Sequence, residues 1–366
     1  MNKLQSLCCL AAGLLWSAGM AHAQHAANVV VSVERIENPA LSATSPGGVT
    51  VLRVAPSYTF ETRGDRSQSR LALGATLERS SNTALLASRN YPSLGYTWTY
   101  SWPTSSLELR GNLAESSTRN TEFEEFGRVT VDSRERRLDA GVRWNQELTE
   151  RTDWVVDLAR ARVSFDQASL TDYSEVELSS RVSWEATERM FYFIEPAYVR
   201  LTRSGSPDSV TQARWQVGVR GELAPEWTLT AFAGQGRIGG TPSSTGTLAG
   251  LQLDFVGSRW SAGGGWSRDF SVSVADAAFV RTEILSLRQA YRLTETATLS
   301  ASLASSRSAG AGASRGLVSG LALENELGAN WSSTLGVEHR RSSPVGGVAG
   351  RGWSVRAGLV YAYPGR

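Results

Sequence analysis

The chain has 366 residues with 37 basic against 35 acidic side chains, and it holds only two cysteines and three histidines. Every basic residue after Lys3 is an arginine, and the near balance of sign argues against a surface for nucleic acid or anionic lipid. So few Cys and His leave little from which to build a transition-metal site, so no metal and no cofactor is expected.

In chain order, Lys3 begins a leader whose apolar run extends from Leu7 to Met20, and Ala21-His22-Ala23 has the small-x-small pattern of a cleavage site. Residues 1–23 therefore read as a secretory signal peptide and residues 24–366 as one mature domain. Cys8 and Cys9 fall inside the leader. Cys9 sits in the middle of the apolar run, not at its end, so a lipid anchor is not expected. No later stretch offers the 18 or so apolar residues that a spanning helix requires.

Beyond the leader, apolar residues alternate with polar ones. Val29 to Ile36 is the first expected strand and Thr50 to Thr62 the second. In Leu94, Tyr96, Trp98, Tyr100, Trp102 one face is wholly apolar, while Gly95, Thr97, Thr99 and Ser101 make up the other. Leu138, Ala140, Val142, Trp144 oppose Arg137, Asp139, Gly141, Arg143. Ala213, Trp215, Val217, Val219 oppose Gln212, Arg214, Gln216, Gly218. Charge on every second residue that never interrupts the opposite face is the pattern of a strand with lipid on one side and water on the other.

A turn pattern recurs as QELTERTDW, WEATERMFY, GELAPEWTL, DFVGSRWSA, YRLTETATL and NELGANWSS, at separations of 32 to 38 residues. Two strands of about 9 to 11 residues with one short and one long connection fill such a period. A soluble propeller would need longer repeats of four shorter strands. Eight short turns are expected, at 63–67, 103–105, 149–152, 185–189, 224–226, 256–259, 292–295 and 328–330. Longer connections rich in Ser, Gly, Thr and Asn alternate with them. The longest, 115–134, is expected to extend a strand through Val129 and Val131. The fold class is thus all-β: a transmembrane antiparallel up-and-down barrel of about 18 strands with both termini in the periplasm, 16 being the alternative if the first strand is loose. Trp154, Trp227, Trp260 and Trp331 open strands after short turns and form an aromatic girdle. The last strand, WSVRAGLVYAY, carries Arg356, Gly358, Tyr361 and Tyr363 at the spacing of a C-terminal assembly signal, which implies the outer-membrane barrel assembly machinery as a partner beside outer-membrane lipid.

Strand parity turns Arg53, Arg70, Glu108, Arg110, Arg137, Asp139, Arg143, Glu175, Glu177, Arg181, Arg214, Arg220, Asp254, Arg288, Glu338, Arg340 and Arg356 into the lumen. The set suits either hydrogen bonding to a saccharide or cross-strand pairing that holds the wall. Nearly all aromatic rings have the lipid-facing parity, Phe193 and Phe232 being the plainest exceptions. Catalysis is not expected: His22 leaves with the leader, His25 belongs to the mature N-terminal tail, and His339 shares the lipid-facing parity of Trp331 and Leu335.

The stretch SRNYPSLGYTWTYSWPTSSLELRGNLAESSTRN, Ser88 to Asn120, followed by QELTERTDW, resembles a family of outer-membrane β-barrel porins that accompany exopolysaccharide biosynthesis and export loci. The resemblance implies export of an exopolysaccharide across the outer membrane, with periplasmic export machinery and the polysaccharide as partners and no catalytic residues. The alternatives are a general diffusion porin for small solutes and a structural or adhesive barrel with an occluded lumen.

Overall fold

A peptide group in hydrocarbon finds no water to bond, so a spanning strand must be paired along both edges. In a computed structural model, which describes residues 22–364 except 130, 207, 241–242, 274–276 and 311, eighteen strands meet that demand by closing on themselves. They are β1 (His22–Glu37), β2 (Gly48–Arg63), β3 (Ser67–Ser80), β4 (Asn90–Ser101), β5 (Ser105–Ser117), β6 (Arg134–Thr149), β7 (Thr152–Phe165), β8 (Tyr173–Thr187), β9 (Met190–Arg203), β10 (Ser209–Ala224), β11 (Trp227–Gly239), β12 (Ser244–Val256), β13 (Trp260–Ser273), β14 (Ala278–Arg292), β15 (Ala297–Ser308), β16 (Ser314–Gly328), β17 (Trp331–Pro344) and β18 (Gly350–Pro364). Each pairs antiparallel with the next, and β1 pairs with β18, with Val29 opposite Tyr361 and Glu34 opposite Arg356. The number of strands is 18, not 16, because β1 is a full member of the wall. No described helix is long and apolar enough to cross a membrane.

Two boundaries differ from expectation. The first strand begins at His22, not Val29, and His25 is no tail residue: its Nδ1 lies 2.6 Å from the Tyr58 hydroxyl and its ring packs on Phe60. Most of the expected leader lies outside the described residues, as do Cys8 and Cys9. The ladder with β2 accounts for the longer strand, since it runs from His22 opposite Arg63 up to Glu37 opposite Gly48.

All eight short turns fall where the recurring pattern puts them. In four of them the repeat has a local cause: the register shifts at Glu147/Thr149, Glu185/Thr187, Glu222/Ala224 and Glu326/Gly328. One extra residue on the descending strand tightens the twist there and starts the reverse turn, which is why the same Glu-x-small sequence returns.

The outer face is an exposed apolar belt that includes Leu138, Leu158, Leu178, Ile194, Val217, Leu251, Leu287, Leu321 and Leu335. Below it lies the girdle. Trp331 stacks on Tyr361 at 4.9 Å, Trp102 on Trp144 at 5.4 Å, and Phe255 lies between Trp227 and Trp260. His339 is at the other end of the belt, 4.5 Å from the Trp353 ring.

The longest connection does not extend a strand. Residues Thr118–Phe126 form α1, the one helix among the described residues, and it folds into the bore. Its ending is local: Gly127 takes φ +71, and its N–H donates to the Phe123 carbonyl at 2.9 Å, a left-handed C-cap that suits glycine. The same glycine must be small because a Cβ there would lie 2.1 Å from the backbone nitrogen of Gly316 on β16. Val129 and Val131 follow the cap outside any strand, and the Val131 carbonyl accepts a hydrogen bond from the Thr118 hydroxyl at 2.6 Å.

Candidate permeation path

Eighteen strands enclose a bore wide enough for water, so what fills it decides what passes. Two pieces of chain do. The first is α1, whose last carbonyls are capped by the far wall: Ser306 donates to Phe123 at 3.5 Å, Ser308 to Phe126 at 3.4 Å, and Ser342 to Gly127 at 2.8 Å. Phe123 and Phe126 are buried at 1% exposure, and the Arg340 guanidinium sits 5.5 Å above the Phe123 ring. Arg128 adds three anchors, to Glu122 at 3.2 Å, the Gly312 carbonyl at 2.6 Å and Ser273 at 3.3 Å.

The second piece is the outer end of the β13–β14 hairpin. The ladder between β12 and β13 stops at Ala249 opposite Arg268, while β13 stays paired with β14 up to Ser273 opposite Ala278. Freed from β12, the hairpin leaves the wall. Phe270 reaches the inward-facing glycines Gly236 and Gly246 of the neighbouring strands, where an added Cβ would lie 3.0 and 2.7 Å from its ring. Ala277 is buried among Val163, Tyr173 and Leu201, and its carbonyl accepts from Arg203 at 3.1 Å. The two strands thus continue inward to Ser273 and from Ala278, and their outer end crosses the mouth.

The helix divides the outer part of the bore into two chambers. One, of about 470 Å³, lies on the side of Arg119, Asn120 and Glu124 and is lined by Glu34, Arg53, Glu78, Glu338, Arg340 and Arg356. The other, of about 380 Å³, lies on the side of Thr121 and Glu125 and is lined by Glu135, Arg137, Tyr173, Glu175, Glu177, Gln212, Arg214 and Phe270.

Most of the lumen residues expected from parity are brought together as ion pairs along the wall. Arg53 spans Glu78 at 2.7 Å and Glu34 at 3.3 Å, and Arg356 approaches the same Glu34 at 3.0 Å. Arg110 and Arg143 share Asp157 at 2.6 and 2.8 Å, and Arg110 also lies 3.5 Å from Glu108. Arg137 binds Asp139 at 2.8 Å, Arg214 binds Glu177 at 2.6 Å, and Arg288 binds Asp254 at 2.7 Å. Arg181 pairs with Glu195, and Arg340 with Glu338. Three of the set stand apart among the described residues: Arg70 and Glu175 form no ion pair, and Arg220 lies 5.5 Å over the Phe191 ring.

Parity reasoning passed over Glu34 and Asp157, which each join two arginines, and Glu195, although each alternates with exposed apolar residues: Val33, Leu158 and Ile194. It also understated the aromatic content of the lumen. Phe193 is indeed buried there, with Arg181 4.9 Å above it, but Phe123, Phe126, Phe270 and Tyr173 join it. Glu34→Ala would strip both Arg53 and Arg356 of a shared carboxylate that is 6% exposed. The expected cost is roughly 2–3 kcal/mol, kept to the lower end because Arg356 is half open to the lumen water. A lower urea midpoint for the unfolding of the reconstituted variant checks it.

On the helix itself two charges are out of the ordinary. Arg119 is 6% exposed, and its Nε finds no hydrogen-bond partner. Burial, and then the neighbouring Arg340, pull its guanidinium below the usual arginine range. Glu125 opens to the chamber water, yet desolvation by the walls crowded around it, and then Glu135, push its carboxyl up to about 7. A carboxyl raised in this way is neutral below that value and adds one negative charge above it. Cation preference, read from the reversal potential in a salt gradient, is therefore expected to increase between about pH 6 and about pH 8. In Glu125→Gln the step should vanish.

Fold, belt and charged bore together define an 18-stranded outer-membrane β-barrel. Among solved structures the chain is similar to Acinetobacter baumannii OccAB4, with TM-score 0.55 and 10% identity over 94% of this chain and 99% of that one. It is also similar to Pseudomonas aeruginosa OccK9 (OpdG), with TM-score 0.55, 12% identity and coverage of 93% and 98%. For Pseudomonas aeruginosa OpdQ the values are 0.53, 9%, 93% and 98%. At these identities the likeness is one of fold. No family model and no curated protein matches the sequence.

Proposed function

We propose that this barrel is a passive outer-membrane channel for small polar solutes. The observation that carries the reading is the divided bore: α1 and the β13–β14 hairpin cross it, leaving charged chambers of about 470 and 380 Å³. Such spaces fit solutes of a few sugar or amino-acid units, and their walls offer hydrogen-bond donors and acceptors of both signs. Export of an exopolysaccharide, to which the sequence resemblance points, needs a bore that a polymer can thread. The crossed lumen speaks against it, and the shared fold with Occ/Opd porins favours diffusion.

Planar bilayers and swelling of proteoliposomes test this. Steady conductance, with swelling in monosaccharides and amino acids and none in a long dextran, is the expected result. Conductance near zero would favour the occluded structural barrel, and dextran-permeable liposomes would restore the polymer reading.

A further inference from the structure

The arginines of this barrel fall into two populations. Those facing the bore are mostly neutralised by carboxylates, as described above. A second population faces the other way; it includes Arg200 on β9, Arg237 on β11 and Arg281 on β14, and runs on over the next five strands of the wall as Arg307 on β15, Arg315 on β16, Arg341 on β17, Arg351 on β18 and Arg35 on β1. Each shares its face with exposed apolar residues, among them Leu303, Leu321, Leu335, Val355 and Val33, and each is itself exposed. Among the described residues none of the five lies in an ion pair. The one carboxylate on that face of these five strands, Glu37, does not pair with them either.

The arrangement is costly for the protein alone. Arg307 stands directly opposite Arg315, and Arg341 directly opposite Arg351. Like charges at directly opposed positions repel, and a sheet normally avoids them. Their height is equally specific. From the girdle residue Trp331 to Arg341 is ten residues of one strand, which at a tilt near 40° lifts the guanidinium roughly 25 Å, the full thickness of the apolar band. The arc therefore sits where the headgroups of the outer leaflet begin, directly above aliphatic side chains that meet acyl tails.

We propose that this arc is a docking surface for phosphate-bearing lipid headgroups of the outer leaflet, with a phosphorylated glycolipid as the occupant. A phosphate between two opposed guanidiniums accepts paired hydrogen bonds from both and turns their repulsion into a bridge. A lipid fits better than a free anion because one molecule supplies phosphate to the arginines and acyl chains to the belt beneath them.

The test uses the full mature barrel in detergent micelles, with lipid binding read by native mass spectrometry and thermal stability. The probes are a bis-phosphorylated glycolipid, the same glycolipid with its phosphates removed, and inorganic phosphate. Retained binding and a raised unfolding temperature are expected only with the phosphorylated lipid. In R315Q/R341Q/R351Q the apparent affinity should fall by at least about tenfold, with conductance unchanged as evidence of an intact barrel. R341K/R351K, which preserves charge, should keep most of the binding and so guards against misfolding of the first variant. Equal binding of the dephosphorylated lipid, an equal effect of inorganic phosphate, or undiminished binding by the glutamine variant would each overturn the proposal.

Discussion

Replacing residues 118–133 by a short Gly-Ser turn is expected to raise single-channel conductance roughly threefold, because the wall persists while its main obstruction goes. The wall does not depend on α1: β5 and β6 remain paired from Ser105 opposite Gln146 upward without it. What the excision removes is the partition between the two chambers, with Phe123, Phe126 and the buried Arg119. The inward β13–β14 hairpin stays and bounds the increase. Solute discrimination should fall together with the rise in conductance, since the residues that flank both chambers from the helix are lost. Unchanged conductance would show that the hairpin, and not the helix, sets the limiting width.

The second large effect concerns the outside. Leu178→Arg places a charge on β8 about midway between Trp184, beside the short turn to β9, and the outer end of the strand, at a side chain that is 48% exposed and faces lipid. A guanidinium at that depth costs about 2–4 kcal/mol. Ser179→Arg, one residue along the same strand and facing the wet bore, should cost far less. Urea unfolding of both variants into lipid vesicles reads the difference. Equal costs would mean that the two faces of β8 do not meet different solvents.

Strand number, turns and face assignment were legible because a strand alternates strictly and lipid tolerates no exception on one side. Thus Leu138, Val142 and Trp144 identify β6, and the bulge-forming Glu-x-small pattern announces the turns. The helix escaped for a physical reason. Thr118–Phe126 carries only Phe123 and Phe126 as apolar residues, too few for a periodic stripe, and what buries them is supplied by β15, β16 and β17 across the bore. Gly127, a plausible helix stop, was its one local signal. The ion pairs illustrate a different limit. Asp157 and Glu195 have inward parity, but which arginine each meets depends on stagger between strands: Arg110, two strands away, reaches Asp157 across Gly141, where an added Cβ would lie 2.8 Å from its Nε. No reading of one strand at a time contains that contact.

The seam between β1 and β18 has a consequence for biogenesis. The first and last strands are neighbours in the finished wall, so the cylinder cannot shut until β18 has been synthesised and delivered. Until then, both terminal strands present bare amides and carbonyls, a template for mispairing with other chains. Loss of the final strand should therefore yield aggregate and not a smaller pore, which makes completeness of the chain a condition for insertion.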